Sequence, residues 1–245
     1  KNIGRIDNGA FYNYYNLTSA ELPQNIKKIG AGAFSGCKKL KEINLPDTIK
    51  ILGENAFARC ESLTEIHIPS NLRWGLIYSY TFCGTGLKKI VIPDGIKRIG
   101  QCAFGGCKNL KSVKLPDTLE EIDSAAFLEC SELNKINIPN GIKTLKGVFA
   151  RCYKLNNVQL PKSITELDHT FYKNKSITSF SIPENVTALK SGAFADCENL
   201  KCISIPASVT IIENRVFEGC TSLTDVFYAG SEEDWNKISF ERGDE

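Results

Sequence analysis

The stretch LKSVKLPDTLEEIDSAAFLECSE, residues 110–132, is one copy of a unit that recurs along the whole chain. Leu110, Val113 and Leu115 lead into Pro116; Leu119 and Ile122 follow, then Phe127 and Cys130, and Leu133 begins the next copy. All nine prolines, at 23, 46, 69, 93, 116, 139, 161, 183 and 206, fall about 23 residues apart. A matching Phe stands at 11, 34, 57, 82, 104, 127, 149, 171, 194 and 217. Three residues later comes Cys37, Cys60, Cys107, Cys130, Cys152, Cys197 or Cys220, with Tyr14, Thr85 and Asn174 in the other three copies. A fixed period of this length marks a repeat architecture.

The physics of one unit follows from its pattern. Val113 and Leu115 alternate with polar residues, which predicts a short strand with one buried face. Pro116 ends it, because proline has no N–H for a continuing ladder. Leu119 and Ile122 point inward on the return path, and residues 124–129 predict one helical or 3₁₀ turn that drops Phe127 into the core. One unit cannot bury its own apolar side. About ten stacked units share a continuous core, and stability becomes a sum of neighbour contacts.

The pattern LxxIxLPxxLxxIxxxAFxxCxx over residues 110–132 resembles the BspA-like class of bacterial leucine-rich repeats, and the resemblance covers residues 1–228. It implies a leucine-rich repeat solenoid: a curved right-handed superhelix with a parallel sheet on its concave face and short helical or 3₁₀ turns on the return path. It further implies a secreted or surface-attached protein, adhesin-like, with an extracellular-matrix or plasma protein among the ligands to expect. No catalytic residue is implied, because the motif residues are core residues.

Composition bounds the rest. A chain of 245 residues is ample for one repetitive core, so one domain is expected, with residues 1–22 as a partial first unit and 229–245 as a C-terminal cap. No apolar run approaches the ~18–20 residues of a membrane span. The net charge of +2 is too mild for a nucleic-acid binder, which shows a strongly basic domain. The chain has no Met and opens directly on repeat sequence, which reads as a mature or excised segment of an extracellular protein with its targeting signal removed.

Departures from the rule are where a site would be sought. Tyr12, Tyr14 and Tyr15 fall at the first unit, where a stack needs a cap. The unit from Pro69 to Phe82 holds two extra residues, within NLRWGLIYSYTF, and insertions in solenoids become surface loops. Trp74, Tyr78 and Tyr80 therefore form a candidate aromatic patch, read either as local packing or as a partner anchor. The units reaching Phe149 and Phe171 are each one residue short, which should alter local curvature. Ser231-Glu232-Glu233-Asp234 reads as a capping box opening a short helix, with Trp235 and Ile238 on one face and 238–240 as a short strand. Residues 242–245 should be frayed.

Ten cysteines in an extracellular chain invite a disulfide reading. Seven of them occupy one inward column, where parallel Cβ vectors oppose bridging even at a coil spacing of ~4.8 Å. They read as a reduced structural ladder of small buried groups. Cys83, Cys102 and Cys202 fall outside it. No metal spacing stands out. The two histidines, His67 on a strand's open face and His169 on the return path, lie roughly 20 Å apart at strand spacing and cannot share a proton or a metal. No cofactor is called for, no catalytic motif is present, and a non-enzymatic role is expected. Asn16, Asn174 and Asn185 match the glycosylation pattern.

In each unit the residues flanking the central strand residue point away from the core, and stacking aligns them in two columns. Glu21, Glu42 and Glu65 make an acidic start; Lys89, Lys114 and Lys135 make a basic middle, with Lys88 and Lys111 beside it. Glu42, Glu65, His67, Lys89, Lys111, Lys114, Lys135 and Asn137 are the candidate contact residues for a protein or glycan ligand. Two readings stay open: a binding scaffold, or a rigid spacer of a larger surface protein.

Overall fold

The computed structural model describes residues 4–240, a stack of coils in which each coil adds about one repeat. The expectation for residues 242–245 falls outside the described residues. Each regular coil has three sides. The first is the short strand read from the alternation, as at Lys89–Val91, Ser112–Lys114 and Lys135–Asn137, each with its central residue buried. Successive strands pair in parallel, Lys89 with Ser112 and Ser112 with Lys135.

The second side, expected only as a return path, is a second parallel sheet paired in three stretches, with breaks between Ile51–Leu52 and Leu76–Ile77 and between Glu121–Ile122 and Thr144–Lys146. Arg98–Ile99 pairs with Glu121–Ile122, and Thr144–Lys146 pairs with Glu166–Asp168. Its inward residues, such as Ile99 and Leu145, are fully or almost fully buried. Two or three residues per coil suffice where neighbouring coils supply hydrogen bonds, as Leu76–Ile77 and Glu121–Ile122 do on either side of Arg98–Ile99.

The third side carries the Phe and Cys. Residues 123–130 show the expected i→i+3 spacing: the Ala126 N–H donates to Asp123 O at 3.2 Å and the Cys130 N–H to Phe127 O at 3.2 Å. These bonds do not add up to a helical turn, because Ala125 (φ 59°) and Glu129 (φ 60°) are left-handed. Both occupy the third place of a four-residue turn, where a type II turn demands positive φ. The same two places, two residues before and two after the Phe, are left-handed in every coil, from Gly9 and Asn13 to Arg215 and Gly219. This conformation turns alternate N–H groups toward the next coil. Those of Ala125, Phe127 and Glu129 reach the carbonyls of Lys146, Val148 and Ala150 at 2.9–3.1 Å.

The core is one continuous column. The ten Phe rings stack coil on coil with centroids 5.1–6.2 Å apart. All ten cysteines are free thiols. The ladder thiols do more than fill space. Cys130 Sγ donates to Phe104 O at 3.2 Å, and each of the other six makes the same bond to the Phe carbonyl one coil back. In the interior a Phe carbonyl thus takes an N–H from its own coil and an S–H from the next, as Phe127 does from Cys130 and Cys152.

The regular ladder breaks where the repeat does. Residues 65–67, read as a strand, are not one; no backbone hydrogen bond joins Ile66 or His67 to a neighbouring coil, and Ile66 is half-buried. The two extra residues of the following coil bulge as the 3₁₀ turn Arg73–Gly75, with Trp74 left-handed at φ 63°. The second sheet is also interrupted there, between Ile51–Leu52 and Leu76–Ile77. A second break in the first sheet lies between Asn157–Gln159 and Ser179–Ser181, across the second of the two short units, where Phe180 packs between Phe171 and Phe194.

At the far end the helix Glu232–Trp235 opens on a capping box between Ser231 and Asp234. Trp235 packs on Tyr228 and Phe240 at 5.2 and 5.7 Å, Ile238 is buried, and Ser239–Phe240 extends the second sheet by pairing with Ile211–Ile212. Val226 and Phe227 on the last strand of the first sheet remain 48% and 58% exposed.

Candidate functional site

The outer face of the first sheet is built by the alternation itself. In Lys89–Val91 and Lys135–Asn137 the inward Ile90 and Ile136 anchor the strand, so the flanking side chains must stand in solvent. Register places Lys89, Ser112 and Lys135 in one row, and Val91 and Lys114 in the adjacent row.

Two depressions lie on this face. The larger, of about 1460 Å³, spans the first four coils and is lined by Glu21, Glu42, Glu65, His67 and Lys89 over a floor of Ile43, Ile66 and Ile90. The smaller, of about 440 Å³, is lined by Lys114, Lys135 and Asn137. Lys111 lies in neither; it is exposed one residue before Ser112–Lys114, where its N–H donates to Lys88 O at 2.9 Å.

The charges divide at one contact. Lys89 Nζ lies 3.3 Å from Glu65 Oε1, with both side chains two-thirds exposed. On the acidic side of this seam, Glu21 and Glu42 make no ion pair among the described residues; on the basic side, neither do Lys111, Lys114 and Lys135. His67 Nε2 lies 3.1 Å from Asp47 Oδ1, and this hydrogen bond holds the Asp47 carboxyl below its usual range. Lys41, absent from the candidate residues, also lines the larger depression. Its signal was legible, since it occupies the repeat position of Lys88 and Lys111.

The aromatic patch does not assemble as one surface. Trp74 is 62% exposed at the bulge, with the Arg73 guanidinium 4.3 Å from its ring centroid. Tyr78 and Tyr80 are half-buried, and among the described residues no ring contact joins the three. Trp74 belongs to the turn before the second sheet, on a different side of the coil from the lysines.

Other chemistry-bearing groups lie apart. His169 Nδ1 is 2.6 Å from Asp168 Oδ1 on the second-sheet side, far from His67. Among the described residues no group of three or more His, Cys, Asp or Glu could hold a metal ion. Among the described residues no helix is long and apolar enough to cross a membrane. Burial pushes the Cys107 and Cys152 thiols up to about 12. Cys83, Cys102 and Cys202 are half-buried. Asn174, read as a glycosylation acceptor, is fully buried in the cysteine place of its coil; its Nδ2 donates to Cys152 O at 2.9 Å, and its Oδ1 accepts from the Ser176 and Ile177 N–H groups. Asn16 and Asn185 are exposed.

The sequence profile of BspA-type leucine-rich repeat regions matches residues 2–74, 75–170 and 145–243. No curated protein sequence matches the chain. Among solved structures, a leucine-rich repeat protein from Bacteroides ovatus is similar over 98% of this chain, at 29% identity and a TM-score of 0.85. This chain spans 66% of its length. A leucine-rich cell surface protein from Faecalibacterium prausnitzii is similar at 28% identity and a TM-score of 0.60, over 97% of this chain and 79% of its own. The pneumococcal vaccine antigen PcpA shares the fold at 18% identity and a TM-score of 0.60, over 99% of this chain and 66% of its own.

Proposed function

Because the chain belongs to the BspA-type leucine-rich repeat family, whose repeats are generally non-catalytic binding scaffolds, we propose that it is an adhesin-like binding module, displayed on a cell surface or secreted. Its ligand is a protein or glycan of a host or neighbouring cell, engaged through the outer face of the first sheet. The observation that carries this reading is the zoning of that face. Carboxylates without a cation partner on the first two coils are separated by the Glu65–Lys89 pair from lysines without a carboxylate partner. Solvent-facing groups of one sign, left unneutralised in a shallow depression, set orientation and association rate for a partner of the opposite pattern. The cell-surface similarity to the Faecalibacterium protein supports the location.

A screen of residues 1–245 against matrix and plasma proteins and a glycan array, at two salt concentrations, tests it. A salt-sensitive hit weakened by Lys89→Ser, Lys114→Ser and Lys135→Ser together is the expected result. Binding that keeps its strength and salt dependence in that variant would refute the site.

The spacer reading is favoured by one observation, the unbroken stack of ten Phe rings, which makes the coils a stiff rod. A clean negative in the screen, with folded protein, selects it.

A further inference from the structure

The charge on the first-sheet face is antisymmetric about a single line. By formal charge the first three coils are each net acidic on this face, through Glu21, Glu42 and Glu65, and the next three each net basic, through Lys89, Lys114 and Lys135; Glu65 and Lys89 pair with each other, and the outer four make no ion pair among the described residues. Flanking residues leave this balance intact. This is a balance of formal charge within each coil, Lys41 with Asp47, Lys88 with Asp94 and Lys111 with Asp117, and not of ion pairs, since Asp47 is hydrogen-bonded to His67. The line of antisymmetry is the Glu65–Lys89 pair.

We infer that this face is self-complementary and pairs two copies of the chain, face to face and antiparallel, about a two-fold axis that runs along the strands between Glu65 and Lys89. A two-fold operation sets the first coil against the partner's sixth, the second against the fifth and the third against the fourth. Every acidic coil then meets a basic one, as an isologous interface requires. The rows of Glu42 and Lys114, like those of Lys135 and Glu21, are two residues apart along the strand, roughly 7 Å, within the reach of a lysine side chain. The inference rests on the same face that is proposed above for ligand, and the dimer would compete with that ligand for it.

Sedimentation velocity at about 20 mM and about 500 mM salt, where screening lengths differ severalfold, tests the pairing without any ligand present. The wild-type chain is expected to dimerise at low salt and to dissociate at high salt. Glu42→Lys or Lys114→Glu alone should weaken the dimer at least about tenfold, since each sets like charges together, and the two combined should restore it. All these side chains are exposed, so folding is retained. A chain monomeric at low salt, single reversals without effect, or a double variant that stays weak would each overturn the inference. Carbodiimide coupling of a mixture of isotopically light and heavy wild-type protein gives an independent reading. Mixed-mass cross-links between Glu42 and Lys114 are expected, and their absence counts against the pairing. A monomeric result removes the dimer and leaves the ligand screen to judge the face by itself.

Discussion

Cys130 Sγ lies 3.2 Å from the carbonyl oxygen of Phe104, one coil away. That bond changes what the cysteine column is for. A thiol fills the gap beside the stacked Phe rings as a small apolar group and still supplies a weak donor to the second lone pair of a buried carbonyl. Cys130→Ala should therefore cost about 1–2 kcal/mol, combining lost volume with a weakened carbonyl partner. Chemical denaturation measures this; a variant as stable as the parent would show the thiol to be mere filling.

The left-handed places make a second prediction. Arg59 (φ 58°) is exposed and stands where other coils have Gly36, Gly84 or Gly106. Arg59→Gly should stabilise the chain by about 0.5–1 kcal/mol by removing left-handed strain. Arg59→Val should destabilise it by more than that gain, because a β-branched residue tolerates this conformation least. Melting temperatures that leave the two variants level would contradict the turn assignment.

The buried thiols predict alkaline sensitivity. Cys107 and Cys152 are held up to about 12 from an unfolded value near 9.0, chiefly by desolvation. A raised value means that folding favours the neutral thiol. Their contribution is complete below about pH 9 and is lost as pH rises toward about 12, because the unfolded chain ionises there and the folded one does not. Denaturation midpoints should fall across that window, and Cys107→Ala combined with Cys152→Ala should flatten the fall relative to the parent. In the folded state near neutral pH, a thiol reagent should label the half-buried Cys83, Cys102 and Cys202 ahead of Cys107, Cys130 and Cys152, which open only on unfolding.

Asn174 supplies a prediction about modification. Its amide is committed to Cys152 O and to two N–H groups inside the core. Expressed in a glycosylating cell, the chain should remain unmodified at Asn174 in its folded form, whereas Asn16 is exposed. Peptide mapping by mass spectrometry decides this. Asn174→Ala should destabilise by about 1–3 kcal/mol through the carbonyl and N–H groups it strands.

How much of this was written in the sequence can be judged residue by residue. The period carried by Pro116, Phe127 and Cys130 determined the repeat, the inward residues, the parallel stacking and the two outward columns, because a unit that cannot bury its own apolar side has one way to hide it. Tertiary structure alone decided the rest. The second sheet is not legible in the sequence because its strands of two or three residues are too short to show a period of two, and coil-to-coil hydrogen bonds supply what local pattern lacks. Twelve of the twenty left-handed residues at the two places flanking each Phe are not Gly, Ala125, Glu129, Arg59 and His169 among them, since bonds to the next coil override intrinsic preference. The loss of the strand at 65–67 beside the Trp74 bulge, the burial of Asn174, and the Glu65–Lys89 contact that divides the charged face each depend on how one coil sits on the next. A one-dimensional pattern specifies which side chains share a column, and only the packed stack specifies which of them touch.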